Sequence, residues 1–152
     1  MSVVRPFVGS ELSSIQQSIS HIKNMVPSGI RLKPSERRSL FKLNSKRFEF
    51  VHHAMENMRK NPSTVPAYID IAGCNTQLHV YQQYTEILEQ LQQLIAQVED
   101  VRLMAGNEIM NQTRAYFHNT RLASETGLEQ FEEIYNKLKP HYAVGRNSTK
   151  KV

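Results

Sequence analysis

Glu and His at helical spacing are the first place to look for chemistry. A helical bundle builds a di-metal carboxylate centre from Glu-x-x-His pairs on two helices and further Glu residues on two others. The chain holds one such pair, Glu49 and His52, and no second pair accompanies it. A di-iron or di-manganese centre is therefore not expected, nor is any other metal. His52 and His53 point about 100° apart on a helix, so only one of them can face a given point. His79 and His118 are expected on separate helices, where they could meet in the interior, each most simply as a hydrogen-bonded structural histidine. Cys74, the single cysteine, follows Gly73 beside an expected helix start, a place that can lower a thiol pKa. With no neighbouring His or base it reads as a buried or incidental thiol, not a nucleophile. Asp70, Glu86 and Glu108 lack the pairing that acid–base catalysis uses. No catalytic residue, cofactor or metal site is assigned, and a non-enzymatic protein is expected.

The concentrated polar signal is basic. Arg31, Lys33, Arg37, Arg38, Lys42, Lys46 and Arg47 fall within 17 residues, opposed only by Glu36. If a helix runs through Asn44, then Arg38, Lys42 and Lys46 align at i, i+4 and i+8, a stripe able to contact phosphates with salt-sensitive affinity. Interleaved exposed aromatics, a glycine-rich phosphate loop and a reading helix are missing. Nucleic acid is thus the weaker expectation. The stronger is a solvated face, or one paired with acids such as Glu129, Glu132 and Glu133. Charge is divided along the chain: residues 1–60 hold 11 Lys/Arg against 4 Asp/Glu, and residues 61–140 hold 5 against 10. Such asymmetry can also draw copies of a chain together.

These residues need elements to place them. With 152 residues, 39% hydrophobic and 22% charged, the chain fits one soluble domain. At this length roughly 70% of the unfolded surface can be hidden without a metal or disulfide. No apolar run of signal-peptide length opens the chain, and no stretch approaches the ~20 apolar residues of a membrane helix, so a cytoplasmic protein without a membrane partner is expected.

Six glycines and six prolines punctuate long intervals in which apolar residues recur every three or four positions, a helical signature. A first helix is expected from the N-cap Ser10, with Leu12, Ile15, Ile19, Ile22 and Val26 on one stripe. Pro34 suits the first position of a second helix, with Glu36 in its first turn. Phe41, Phe48, Val51, Met55 and Met58 share a face there, and Asn44-Ser45, a left-handed Asn before a capping Ser, predicts a break. Asn61-Pro62 to Val65-Pro66 ends that segment. Next, Val80, Tyr84, Ile87, Leu91, Leu94, Val98 and Val101 follow a heptad rhythm that Leu78, Tyr81, Leu88 and Ile95 broaden. A helix is expected over about 75–103, clothed by Gln77, Gln82, Gln83, Gln90, Gln92, Gln93 and Gln97 and either turned or weakened at Ala105-Gly106-Asn107. Ile109, Thr113, Tyr116, Phe117 and Thr120 form a further stripe; Thr126-Gly127 interrupts; Leu128, Phe131, Tyr135, Leu138 and Tyr142 complete the pattern. Tyr81, Tyr84, Tyr116 and Tyr135 are expected in a core with hydroxyls at its rim.

Leu32, Pro34, Glu36 and Arg37, then Phe50-Val51, Ala54, Asn61-Pro62, Val65-Pro66, Tyr68 and Asp70, resemble the pattern of a family of small bacterial helical proteins, especially of Bacteroidetes. The resemblance extends over Ser10 to Tyr142. Where that pattern has threonine, glycine and a second proline, this chain has Lys33, Asn44 and Ala67. The resemblance implies a helical bundle and brings no activity, ligand or catalytic residue. The Asn-Pro-x-x-Val-Pro-x-Tyr-x-Asp run is read as helix stops and a core-facing Tyr68, not as a binding loop.

The expected fold is all-α: an antiparallel helical bundle of four to six helices with one long central helix. Residues 10–142 form the domain, between a flexible 1–9 and a disordered basic tail, 143–152. The expected function is protein–protein interaction or self-assembly, as a homo-oligomer or with a protein partner. The alternatives are a small apolar ligand between helices and nucleic acid on the basic segment 31–47.

Overall fold

Five α-helices and one 3-10 turn make up the described part of the chain: α1 (Gly9–Met25), α2 (Pro34–Ser39), α3 (Ser45–Lys60), the turn Pro62–Thr64, α4 (Ile71–Ser124) and α5 (Glu129–Val144). The computed structural model describes residues 5–144, among which there is no strand. Four residues of the expected flexible N-terminus, 1–4, and the part 145–152 of the expected tail lie outside them. The chain divides into two units between Leu91 and Gln92, inside α4.

In the first unit, α1 starts two residues earlier than its sequence signal. Val8 is the cap residue instead of Ser10, and the Glu11 carboxylate three positions on accepts the Val8 N–H at 3.0 Å. Arg5 holds that carboxylate with two nitrogens at 2.7 and 2.8 Å. An acid at this place satisfies an orphan amide and complements the helix dipole, which a serine at Ser10 would do more weakly. Pro27 ends α1 by forcing Val26 into an extended conformation.

Pro34 opens α2 as expected, and Glu36 accepts the Lys33 N–H at 2.6 Å. The break at Asn44 is present, but its cause differs from the expected left-handed turn. Asn44 is extended, at φ −111°, and is itself the N-cap of α3, accepting the Arg47 N–H at 3.1 Å. Phe41 consequently leaves the expected α3 face and lies in the connection, almost fully exposed. Phe48, Val51, Met55 and Met58 stay half-buried on α3, which folds back on the Pro62–Thr64 turn.

Helix α4 begins at Ile71, four residues before its expected start, because Asp70 caps it by accepting the Gly73 N–H at 2.9 Å. Gly73 is the residue this cap tolerates, since a Cβ there would collide with the Asp70 carboxylate. The α1 stripe of Leu12, Ile15, Ile19, Ile22 and Val26 was expected to bury against neighbouring helices. It remains 39–48% exposed.

In the second unit α4 runs unbroken through Ala105-Gly106-Asn107 to Ser124. A single helical glycine costs only about 1 kcal/mol, and no proline interrupts the hydrogen-bond ladder. The reversal comes at Gly127, whose φ of +82° is the left-handed conformation glycine adopts without a Cβ penalty. Leu128 then leads into α5, with Glu129 and Glu132 in its first turn. Pro140 sits inside α5; lacking an N–H, it leaves the exposed Asn136 carbonyl without its intrahelical donor. Phe117 and Thr120 are the buried residues among those described, Thr120 completely. The Phe117 ring stacks on Tyr142 at 4.4 Å between centroids and meets Tyr135 at 5.4 Å. The Thr120 hydroxyl donates to the Phe117 carbonyl at 2.8 Å.

Candidate interaction surface

The heptad positions on α4 are presented to solvent. From Val80 to Val101 the seam and its flank are 37–60% exposed, apart from the half-buried Leu91. Beyond the seam Leu103, Met104, Ile109 and Met110 continue the exposed apolar series. Contiguous exposed apolar surface of this extent is uncommon on monomeric soluble proteins. Tyr84 and Tyr116, expected in a core, are exposed, whereas Tyr135 is half-buried. Tyr68, expected to face a core, is 87% exposed, in the turn closed by the Ile69 N–H donating to the Pro66 carbonyl at 3.0 Å.

Within the first unit one side-chain hydrogen bond joins α4 to the residue that precedes the α3 cap. The Tyr81 hydroxyl donates to the Leu43 carbonyl at 2.6 Å, just ahead of the Asn44 cap. A solvent-open cleft of about 350 Å³ lies beside it, lined by Asn44, Phe48, Tyr81 and Thr85, with Glu86 and Glu89 at its edge. The sequence pattern places Tyr81 on the broad side of the seam without indicating this bond, whose acceptor is a backbone carbonyl and leaves no side-chain signal.

The seven basic candidates do not share one helix face. Arg31 and Lys33 precede α2, Arg37 and Arg38 lie on it, Lys42 lies in the connection, and Lys46 and Arg47 open α3. The break at Asn44 removes the continuous i, i+4, i+8 alignment of Arg38, Lys42 and Lys46. Lys42 instead turns its ammonium back on the C-terminal end of α2, donating to the Arg37 and Leu40 carbonyls, a favourable place for a cation. All seven are exposed, and among the described residues none forms an ion pair with a carboxylate. Of the acids considered as partners, Glu133 pairs with Lys137 at 2.6 Å on its own helix.

The residues considered for chemistry are dispersed. Glu49 lies 3.7 Å from His53, one turn on, and not against His52. His79 and His118 both lie on α4, not on separate helices, and so do not meet; His118 instead sits edge-on to Tyr142. Cys74 is exposed, its backbone N–H bonded to the Asp70 carbonyl at 2.9 Å. Glu108 accepts from Gln112 at 3.0 Å. No group of three His, Cys, Asp or Glu side chains converges among the described residues.

The shifted carboxylates are helix-surface groups. Arg5, then the Val8 amide, holds Glu11 below the usual carboxylate range; Lys60 does the same for Glu56 and Lys137 for Glu133. No helix among the described residues is long and apolar enough to cross a membrane. No family model, curated protein or solved structure matches the chain.

Proposed function

We propose that this chain is a non-enzymatic helical protein that works by protein–protein contact, assembling first with copies of itself so that its helices complete an antiparallel bundle. The observation that carries this reading is the exposure of apolar stripes on α1 and α4 together with a buried set that, among the described residues, comprises only Phe117 and Thr120. Covering apolar area is the main driving force available to such a chain, and an antiparallel bundle covers broad stripes economically. Membership in the helical family that the Leu32 to Asp70 pattern resembles belongs to the same proposal. Light scattering on the purified protein tests it: mass above that of one chain at micromolar concentration is expected, and a strict monomer overturns the reading.

A second reading is favoured by the seven exposed basic side chains of residues 31–47, which have no carboxylate partner among the described residues. It is nucleic-acid binding through phosphate contacts. Affinity for a duplex or single strand should then fall steeply with added salt and vanish in the triple variant Arg37→Glu, Arg38→Glu, Lys42→Glu; binding that survives either change refutes it.

A further inference from the structure

We infer that the apolar face of α4 is an interface between copies of this chain, and that it joins three or four copies instead of two. The inference rests on the assembly reading above and adds the surface and the copy number. With Leu91 at heptad position a, position e holds Tyr81, Leu88 and Ile95, and position g holds Gln83, Gln90 and Gln97. The apolar face is therefore three positions wide, a, d and e. A two-stranded seam covers a and d alone and would leave Leu88 and Ile95, each more than half exposed, in water. Tyr81 already reaches the Leu43 carbonyl of its own chain, so Leu88 and Ile95 are the e positions left for a second neighbour.

Two observations point to further copies as the occupants. The flanks are neutral over this stretch: glutamine fills g, apolar residues fill e, and the acids Glu86, Glu89, Glu99 and Asp100 fall at the outer positions b, c and f. Coiled coils that select a different partner do so through complementary charges at e and g. This face carries no such address, and it meets an identical face without like-charge repulsion. The exposed fractions of the apolar residues from Val80 to Val101 correspond to on the order of 800 Å² per copy, as much as one partner contributes to an ordinary stable interface, divided here between two neighbours.

The experiment is light scattering combined with circular dichroism on the full chain and three variants. The parent protein is expected at three or four times 17.6 kDa. Leu88→Gln with Ile95→Gln, which narrows the face to a and d while keeping good helix formers, is expected to give a dimer of unchanged helicity. Leu91→Asp with Leu94→Asp is expected to give monomers, whereas Ile15→Asp with Ile19→Asp on α1 is expected to leave an oligomer held by the α4 face. A parent dimer, or a Leu88→Gln/Ile95→Gln protein that keeps three or four copies, overturns the copy number. An oligomer that survives the α4 charges but is lost with the α1 charges overturns the surface while leaving self-assembly standing. A parent monomer overturns both.

Discussion

Phe117→Ala removes the ring on which α5 rests in the second unit, and the structure allows its cost to be worked out. The ring is 8% exposed, stacks on Tyr142 at 4.4 Å with 23° between planes, and lies 5.4 Å from Tyr135. Truncating a buried phenylalanine to alanine costs about 3–5 kcal/mol, which includes the aromatic contacts worth about 0.5–1.5 kcal/mol each. The unit has little else buried to hold α5, so the lower end of that range, about 3 kcal/mol, should appear as local opening of α5. At 1.36 kcal/mol per decade, that is a rise of about 150-fold in amide hydrogen exchange over residues 129–142. The amides of α4 between Gln92 and Ile109 should keep their protection, because a helix ladder there does not depend on this ring. A double-mutant cycle with Tyr142→Ala should return a coupling of about 1 kcal/mol. Exchange in α5 that rises less than about fivefold, or that rises equally along α4, would refute the assignment of this cluster as the anchor of α5.

Two glycines should respond in opposite directions: Gly106→Ala, in an open helical position, should stabilise α4 by about 1 kcal/mol, while Gly127→Ala, at φ +82°, should destabilise by about 1–2 kcal/mol, both read by thermal denaturation. Asp70→Ala should cost about 1 kcal/mol by removing the α4 cap, with loss of exchange protection confined to the amides of Ala72 to Asn75. Glu11, held below the usual carboxylate range by Arg5, stabilises the folded start of α1 above its unfolded pKa and loses that contribution as pH falls through its lower folded pKa. An NMR titration should therefore show the Val8 amide shifting in acid, and Glu11→Gln should abolish the titration; an unmoved Val8 amide in the parent chain would contradict the bond.

The helices were legible in the sequence because each carries its own periodic stripe and local stop signals. Pro27, Pro34 and Gly127 sit where their backbone preferences are needed, Asn44 acts through its side chain as a cap, and the structure turns or starts at each. The errors occur where two local signals of similar size compete. At Gly106 the roughly 1 kcal/mol penalty of one glycine was set against the cooperative gain of continuing a long helix, and continuation prevails. At residue 10 the expected start rests on Ser as a capping type and near residue 75 no cap is assigned, whereas Glu11 and Asp70 supply the acceptors nearby. His79 and His118 were assigned to separate helices only because a turn at Gly106 would have parted them. The cluster of Phe117, Tyr135 and Tyr142 lay within the predicted stripes, but which stripe residues become buried depends on what covers each helix.

That dependence gives the exposed stripes their meaning. A heptad pattern records that a face is to be covered and carries no statement of whether the cover belongs to the same chain. In the first unit α1 presents Ile15 and Ile19 to solvent, α3 shields Val51 and Met55 only in part, and α4 meets the residues before α3 through one tyrosine hydroxyl. Ordering these helices costs conformational entropy that local capping bonds of about 1 kcal/mol each do not offset. A long helix gains most of its stability from packing an apolar face, not from propensity. In the proposed assembly the order of the first unit and the covering of its stripes are one equilibrium, so its stability would rise with the concentration of the chain itself, whose neutral α4 flank admits an identical face.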